Sequence, residues 1–184
     1  MEPLPMMTPT QALTRGFAAQ QQPVAATGAH RSDLQARQGF RVGGLCLMVR
    51  YEDGSELTEM PQLYCLPNAP QWLPGIANLH GALTPVFDLA NYLGLRHAIP
   101  GMPGSEARPM LLVLGHGGNA AGIVIDGLPQ RLNWSGAHIT EAATAPERLA
   151  GTVQRDVLID GRLWFDLDCD ALLEKLERSL NLNS

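Results

Sequence analysis

Glycine and proline punctuate the apolar stretches of this chain more strongly than any helical period does. Phe40-Arg-Val-Gly-Gly-Leu-Cys-Leu-Met-Val49 holds two β-prone runs about Gly43-Gly44, a pair able to take positive φ at both central turn positions, and predicts a β-hairpin. Tyr51 to Ser55 is turn chemistry. Pro61, Pro67, Pro70 and Pro74 then remove ladder donors and exclude a regular helix, so that Leu63 to Leu66 is at most a short edge strand. Gly75 to Gly81 and Ala82 to Leu89 read as two strands joined at Gly81, and Leu89 to Gly94 reads as a short helix stopped by its glycine. Residues 98–109 form a loop rich in glycine and proline.

The pattern then restarts. Met110 to Gly115, a turn at His116-Gly-Gly-Asn119, and Ala121 to Asp126 predict a second hairpin, and Leu128 to Trp134 a further strand that Pro129 places near an edge. Leu149 to Asp156, Val157 to Gly161 and Arg162 to Leu167 follow. A final helix is capped by Asp168 or Asp170, with Leu172, Leu176 and Leu180 on one face and Glu174 and Arg178 paired on another. Hairpin, strands, Asp-Leu and helix thus occur twice, and Gly81 to Leu89 and Gly161 to Leu167 both close on Phe-Asp-Leu. Short strands divided by Gly/Pro turns predict a mainly β protein of barrels or sandwiches. Two such small units bury more together than either could alone.

Composition limits what this β protein can do. Residues 1–36, with four prolines and the run Gln20 to Gln22, show no period and read as a disordered tail, leaving residues 37–184 as the folded domain. The chain is 45% hydrophobic, and 13 Lys and Arg against 18 Asp and Glu give a net charge of −5. No basic run is present, which argues against nucleic acid or an anionic membrane surface as the main partner, and no direct membrane insertion is expected. Cys46, Cys65 and Cys169 are odd in number and lack C-x-x-C spacing, so they read as thiols in a reducing compartment. No apolar run approaches the ~20 residues of a membrane helix, and Met-Glu-Pro-Leu-Pro is no signal peptide. A cytoplasmic location is expected.

Catalytic chemistry finds no constellation. His30, His80, His97, His116 and His138 are scattered and none has ligand spacing, so no metal or cofactor is expected. His116-Gly-Gly-Asn119 resembles part of an oxyanion-hole loop but has no nucleophile elbow to serve, and reads as a tight turn. Asp88 and Asp166 could act as an acid/base pair, yet an Asp at a strand-to-helix junction more simply caps the helix. What remains is surface recognition. Trp72, Trp134 and Trp164 are the large anchors; core packing is the first reading of each, with Trp72, in the proline-rich segment, expected to be partly exposed.

Leu66-Pro-Asn-Ala-Pro followed by Gly75-Ile-Ala-Asn-Leu-His-Gly81 and Pro85-Val-Phe-Asp-Leu89 resembles the central motif of the CheW-like family of chemotaxis coupling proteins. The resemblance extends through Gly39 to Gly43, Glu56-Leu57, Gly122 to Asp126 and Leu149 to Gly151. The first hairpin and Asp160-Gly-Arg-Leu-Trp-Phe165 are most similar to coupling proteins of type IV pilus (twitching motility) pathways. The resemblance implies two packed five-stranded β-barrel subdomains and a C-terminal helix. It implies a non-enzymatic scaffold, at membrane-associated receptor arrays, that joins the cytoplasmic tip of a methyl-accepting chemoreceptor to the regulatory domain of a CheA-type histidine kinase. By the same resemblance Glu56, Gly75, Asn78, His80 and Gly81 bind partners, the turn around Asn78 to Gly81 contributing to a groove between subdomains. His80 stands where the family has arginine. A weaker, pH-sensitive contact with Glu56, or a different partner for Glu56, is expected. The rival from another class is a small β-barrel enzyme or metal-binding protein with a site built from dispersed His and Asp.

Overall fold

Twelve strands and two α-helices order the chain in a computed structural model that describes residues 34–95, 108–140 and 145–181. The strands are β1 (Gln35–Val42), β2 (Leu45–Arg50), β3 (Gly54–Glu59), β4 (Leu63–Tyr64), β5 (Gly75–Leu79), β6 (Ala82–Phe87), β7 (Pro109–Leu114), β8 (Ala121–Asp126), β9 (Gln130–Trp134), β10 (Ile139–Thr140), β11 (Val153–Ile159) and β12 (Arg162–Leu167). Helix α1 (Leu89–Leu93) follows β6 and helix α2 (Cys169–Asn181) follows β12. Three two-residue turns, Gly43-Gly44, His80-Gly81 and Asp160-Gly161, have positive φ at both positions, the backbone that matches strand twist in a tight hairpin.

Two six-stranded sheets result. Sheet A runs β10-β11-β12-β2-β1-β9 and sheet B runs β4-β5-β6-β8-β7-β3. Adding six to each strand number of sheet B reproduces sheet A, with β7 and β8 returning to β1 and β2, so the sequence repeat is a structural one. The sheets are not the successive halves of the chain, however. Each takes an inner hairpin from the other repeat, joined through parallel pairing of Phe165 with Leu47 and of Phe87 with Ile123. The short strands β4 and β10 bring each sheet to six strands, where five-stranded barrels were expected.

Three layers of core accompany the sheets. The largest lies between them and gathers Phe40, Leu47, Phe87, Leu112, Ile123, Phe165, Leu172 and Leu176. A second, backed by sheet A, holds Met48, Trp134, Val157 and Trp164; a third, backed by sheet B, holds Ala77, Val86 and Leu111. Gly39 makes room in the second, because a Cβ there would lie 2.4 Å from Leu132 and 2.7 Å from Trp164.

Several expectations change. Trp72 is buried, stacked on Phe87 at 6.1 Å and meeting Tyr92 edge-on at 5.2 Å, because the proline-rich segment folds back to accept the Asp88 N–H on the Trp72 carbonyl. Asp88 caps α1 by accepting from Asn91 N at 3.0 Å, but Asp166 caps nothing. Asp168, seven residues after Gly161 as Asp88 is seven after Gly81, accepts from Ala171 N at 3.0 Å and starts α2. The echo of Phe-Asp-Leu is therefore displaced by two residues, which keeps the same face of the strand and puts Asp166 in the core. Strands β3 and β10 went unread, and the two segments through Ile159 form the single strand β11. Of the expected tail, residues 1–33 lie outside the described residues, and Gln35 and Ala36 already belong to β1. Residues 98–107 of the expected loop lie outside them as well.

Candidate functional site

Glu56 and His80 meet across sheet B. Glu56 sits on the outer strand β3, opposite Val113, just past a bulge. His80 is the first residue of the β5–β6 turn, at φ 52°, a conformation histidine tolerates better than most side chains. Its Nε2 lies 3.0 Å from Glu56 Oε1 and donates to the carboxylate when protonated. Three strands separate β3 from β5 in the sheet order, so the contact requires sheet B to curl on itself. His80 is 82% exposed and Glu56 34%, which confines a pair of this kind to about 1 kcal/mol or less. Of the two expectations for Glu56, the histidine contact is the one found.

The other anticipated residues serve the same hairpin. The Asn78 side-chain oxygen accepts from Gly81 N at 2.9 Å and so braces the turn, and Gly81 takes φ 90°. Gly75 is buried at φ 153°, and a Cβ there would stand 2.5 Å from the Tyr64 carbonyl oxygen. The close approach for which glycine is needed is thus made by β4 of the same chain. Glu56, Asn78 and His80 are the three of the five that offer polar side chains outward.

A neighbouring feature escaped the sequence reading. In the β4–β5–β6 ladder Tyr64 is opposite Ile76, Ile76 opposite Pro85, and Asn78 opposite Leu83, so these side chains share the outer face. Leu83 is 72% exposed and Tyr64 57%. An apolar patch therefore borders the Asn78 turn. Its signal was the alternation of Ala82-Leu-Thr-Pro-Val, which places Thr84 and Val86 inside and Leu83 out.

Polar chemistry elsewhere is structural. Asp166, fully buried, is held by Arg37 through Nε at 2.7 Å and Nη2 at 3.1 Å, with Arg155 at 3.7 Å. Both guanidiniums lie 5.6 Å from the Trp134 ring. Burial, with Asp53 and Asp170 adding to it, pushes the Cys169 thiol up to about 12. Among the described residues no three His, Cys, Asp or Glu side chains gather as a metal site, and His80, His116 and His138 lie in separate turns. The reading as an enzyme or metal protein gains no support.

Exchanged sheets, an apolar outer face and a polar pair at the tip of one hairpin define a recognition module, a protein whose surfaces carry its function. The model of the CheW-like domain family matches residues 38–177, and the chain belongs to that family. It is 30% identical over 93 residues to Protein PilI of Pseudomonas aeruginosa, across 48% of this chain and 47% of PilI. It is 26% identical over 139 residues to the probable chemotaxis protein CheW of Rhizobium etli, across 75% of this chain and 86% of that protein. The crystal structure of the scaffolding protein TtCheW from Thermoanaerobacter tengcongensis has the same fold at a TM-score of 0.61 and 17% identity, covering 78% of this chain and 90% of that one.

Proposed function

We propose that this chain is a non-enzymatic coupling scaffold that joins the cytoplasmic tip of a methyl-accepting chemoreceptor to the regulatory domain of a CheA-type histidine kinase, in a chemotaxis or pilus-based motility pathway. The observation that supports the reading most is the contact of Glu56 with His80, which lies at the exposed tip of the β5–β6 hairpin beside an apolar face. One binding event at the polar tip and another at an apolar surface share a single free-energy balance, and coupling of this kind requires no bond to be made or broken. Glu56, Asn78, His80 and Gly81 form the receptor side of this reading; Gly75 supports it by keeping β4 against β5. The folded domain of the proposal is the sheet region, which begins with β1 at Gln35. Among the described residues no helix is long and apolar enough to cross a membrane, so placement at a receptor array would come through the receptor.

The test is calorimetric titration of the full chain with a receptor cytoplasmic fragment and, separately, with a kinase regulatory domain. Saturable binding of both, with Glu56→Lys weakening the receptor arm and sparing the kinase arm, is expected. Binding of neither would overturn the reading.

A further inference from the structure

Two arginines far apart in the chain, from Gly39-Phe-Arg-Val-Gly43 and Asp160-Gly-Arg-Leu-Trp-Phe165, are brought together by the hairpin exchange. Strand β12 runs parallel to β2, and Arg41 on β1 is opposite Cys46 on β2. Arg41 and Arg162 line one groove of about 460 Å³ with Leu45, Cys46, Leu163 and Phe165. They also line a recess of about 120 Å³ beside Leu128 and Gln130.

Three observations separate this place from ordinary surface. Arg41 and Arg162 have no ion-pair partner among the described residues, as is also true of Arg108, Arg131 and Arg148, but these two line one groove together. A guanidinium without an acceptor is a planar fork suited to a carboxylate. The walls between the two forks are apolar, and Leu128 at the rim is 75% exposed. Finally, the repeat supplies an internal control. By register Gly115 is the sheet B counterpart of Arg41, because the rows Asp166, Met48, Gly39 and Val86, Gly122, Val113 align, and Ala82, the first residue after its turn, is the counterpart of Arg162. The same hairpins form in sheet B without either charge, so the fold does not require the arginines.

We propose that the Arg41–Arg162 groove on sheet A docks a segment of a protein partner that carries carboxylates on either side of an apolar side chain. The charges select the sign of the partner, and the apolar wall selects a peptide over a small anion, which would leave that wall uncovered. Burial pushes the Cys46 thiol up against the opposing pull of Arg162 and Arg41, so it stays neutral and serves as wall. This surface is on the other sheet from Glu56 and His80 and goes beyond the coupling site described above.

The experiment titrates the isotope-labelled full chain, by amide NMR, with a blocked peptide of about nine residues alternating Leu and Glu, a length that spans a groove as an extended strand. Alternating Leu/Lys and Ser/Glu peptides and inorganic phosphate serve as comparison probes. Saturable shifts at Gly43 to Cys46 and Arg162 to Leu163 with the Leu/Glu peptide are expected. The Arg41→Glu, Arg162→Glu double variant should bind it at least about tenfold more weakly and should accept the Leu/Lys peptide instead. Arg41→Gln with Arg162→Gln replaces the charge reversal if dispersion of its spectrum shows misfolding. Absence of saturation, shifts centred elsewhere, indifference to both variants, or equal response to Ser/Glu or phosphate would each overturn the proposal.

Discussion

Arg37 and Asp166 form a two-point ion pair across β2, tying β1 to β12 inside sheet A. The sheet B counterpart of Asp166, counted from the turn glycine, is Val86, which packs in an apolar layer. One sheet thus closes its interior with charge where the other uses a branched hydrocarbon. Asp166→Ala, which strands a buried guanidinium, should cost about 3–5 kcal/mol. Asp166→Val with Arg37→Met, which imitates the other sheet, should recover most of that loss. Denaturant unfolding of the two variants against the parent decides the matter, and equal losses would show that the charges themselves are needed.

The hairpin-tip pair is a separate case, because histidine changes charge between pH 5 and 8 where arginine does not. His80→Arg sets a permanent two-point guanidinium opposite Glu56, at the expense of a less tolerant residue at φ 52°. Receptor binding measured by calorimetry should tighten in that variant and weaken in His80→Ala. An affinity that both variants leave unaltered would detach the pair from binding.

Asp168 gives folding its own acid sensitivity. The Ala171 backbone N–H holds its carboxyl below the usual carboxylate range against the opposing effect of burial, with further help from Gln154 and Arg50. A lowered folded-state value means that this contribution is present above the unfolded value, near pH 4, and is lost as pH falls through the folded one. The cap is worth about 1 kcal/mol. Thermal melts from pH 6 to 2 should show a part of the acid destabilisation that disappears in Asp168→Asn, which caps without titrating.

The cysteines should sort by access. Cys65 is exposed, Cys46 intermediate and Cys169 buried with its thiol raised to about 12. With iodoacetamide at pH 8, mass spectrometry should find Cys65 modified first and Cys169 only after unfolding. Modification of Cys169 in native buffer would mean that α2 leaves its seat.

Local chemistry made much of this fold legible. Gly43-Gly44, Gly81, Gly161 and Gly94 each carry a turn or helix stop at the position their sequence suggested. Strand β3 was hidden because Gly54-Ser-Glu-Leu-Thr-Glu59 is polar at nearly every position, as befits an outer strand with no fully buried residue. Trp72 and Asp166 were misread for one reason: their neighbours along the chain, prolines in one case and a helix in the other, are not their neighbours in space. The Glu56–His80 contact followed from family resemblance, whereas the outward Leu83 needed a strand register. The Arg41–Arg162 groove needed the exchange of hairpins, which no local pattern encodes.

That exchange has a consequence for any attempt to divide the protein. A cut between residues 95 and 108 would yield one fragment with β1 to β6 and another with β7 to β12, and neither would contain a complete sheet. Each fragment would lack the two inner strands that join one edge strand of its sheet to the other three, while carrying the pair its counterpart needs. Separately the fragments should remain unfolded; mixed, they should reassemble by complementation, and that requirement makes the smallest working unit of this scaffold the entire double repeat.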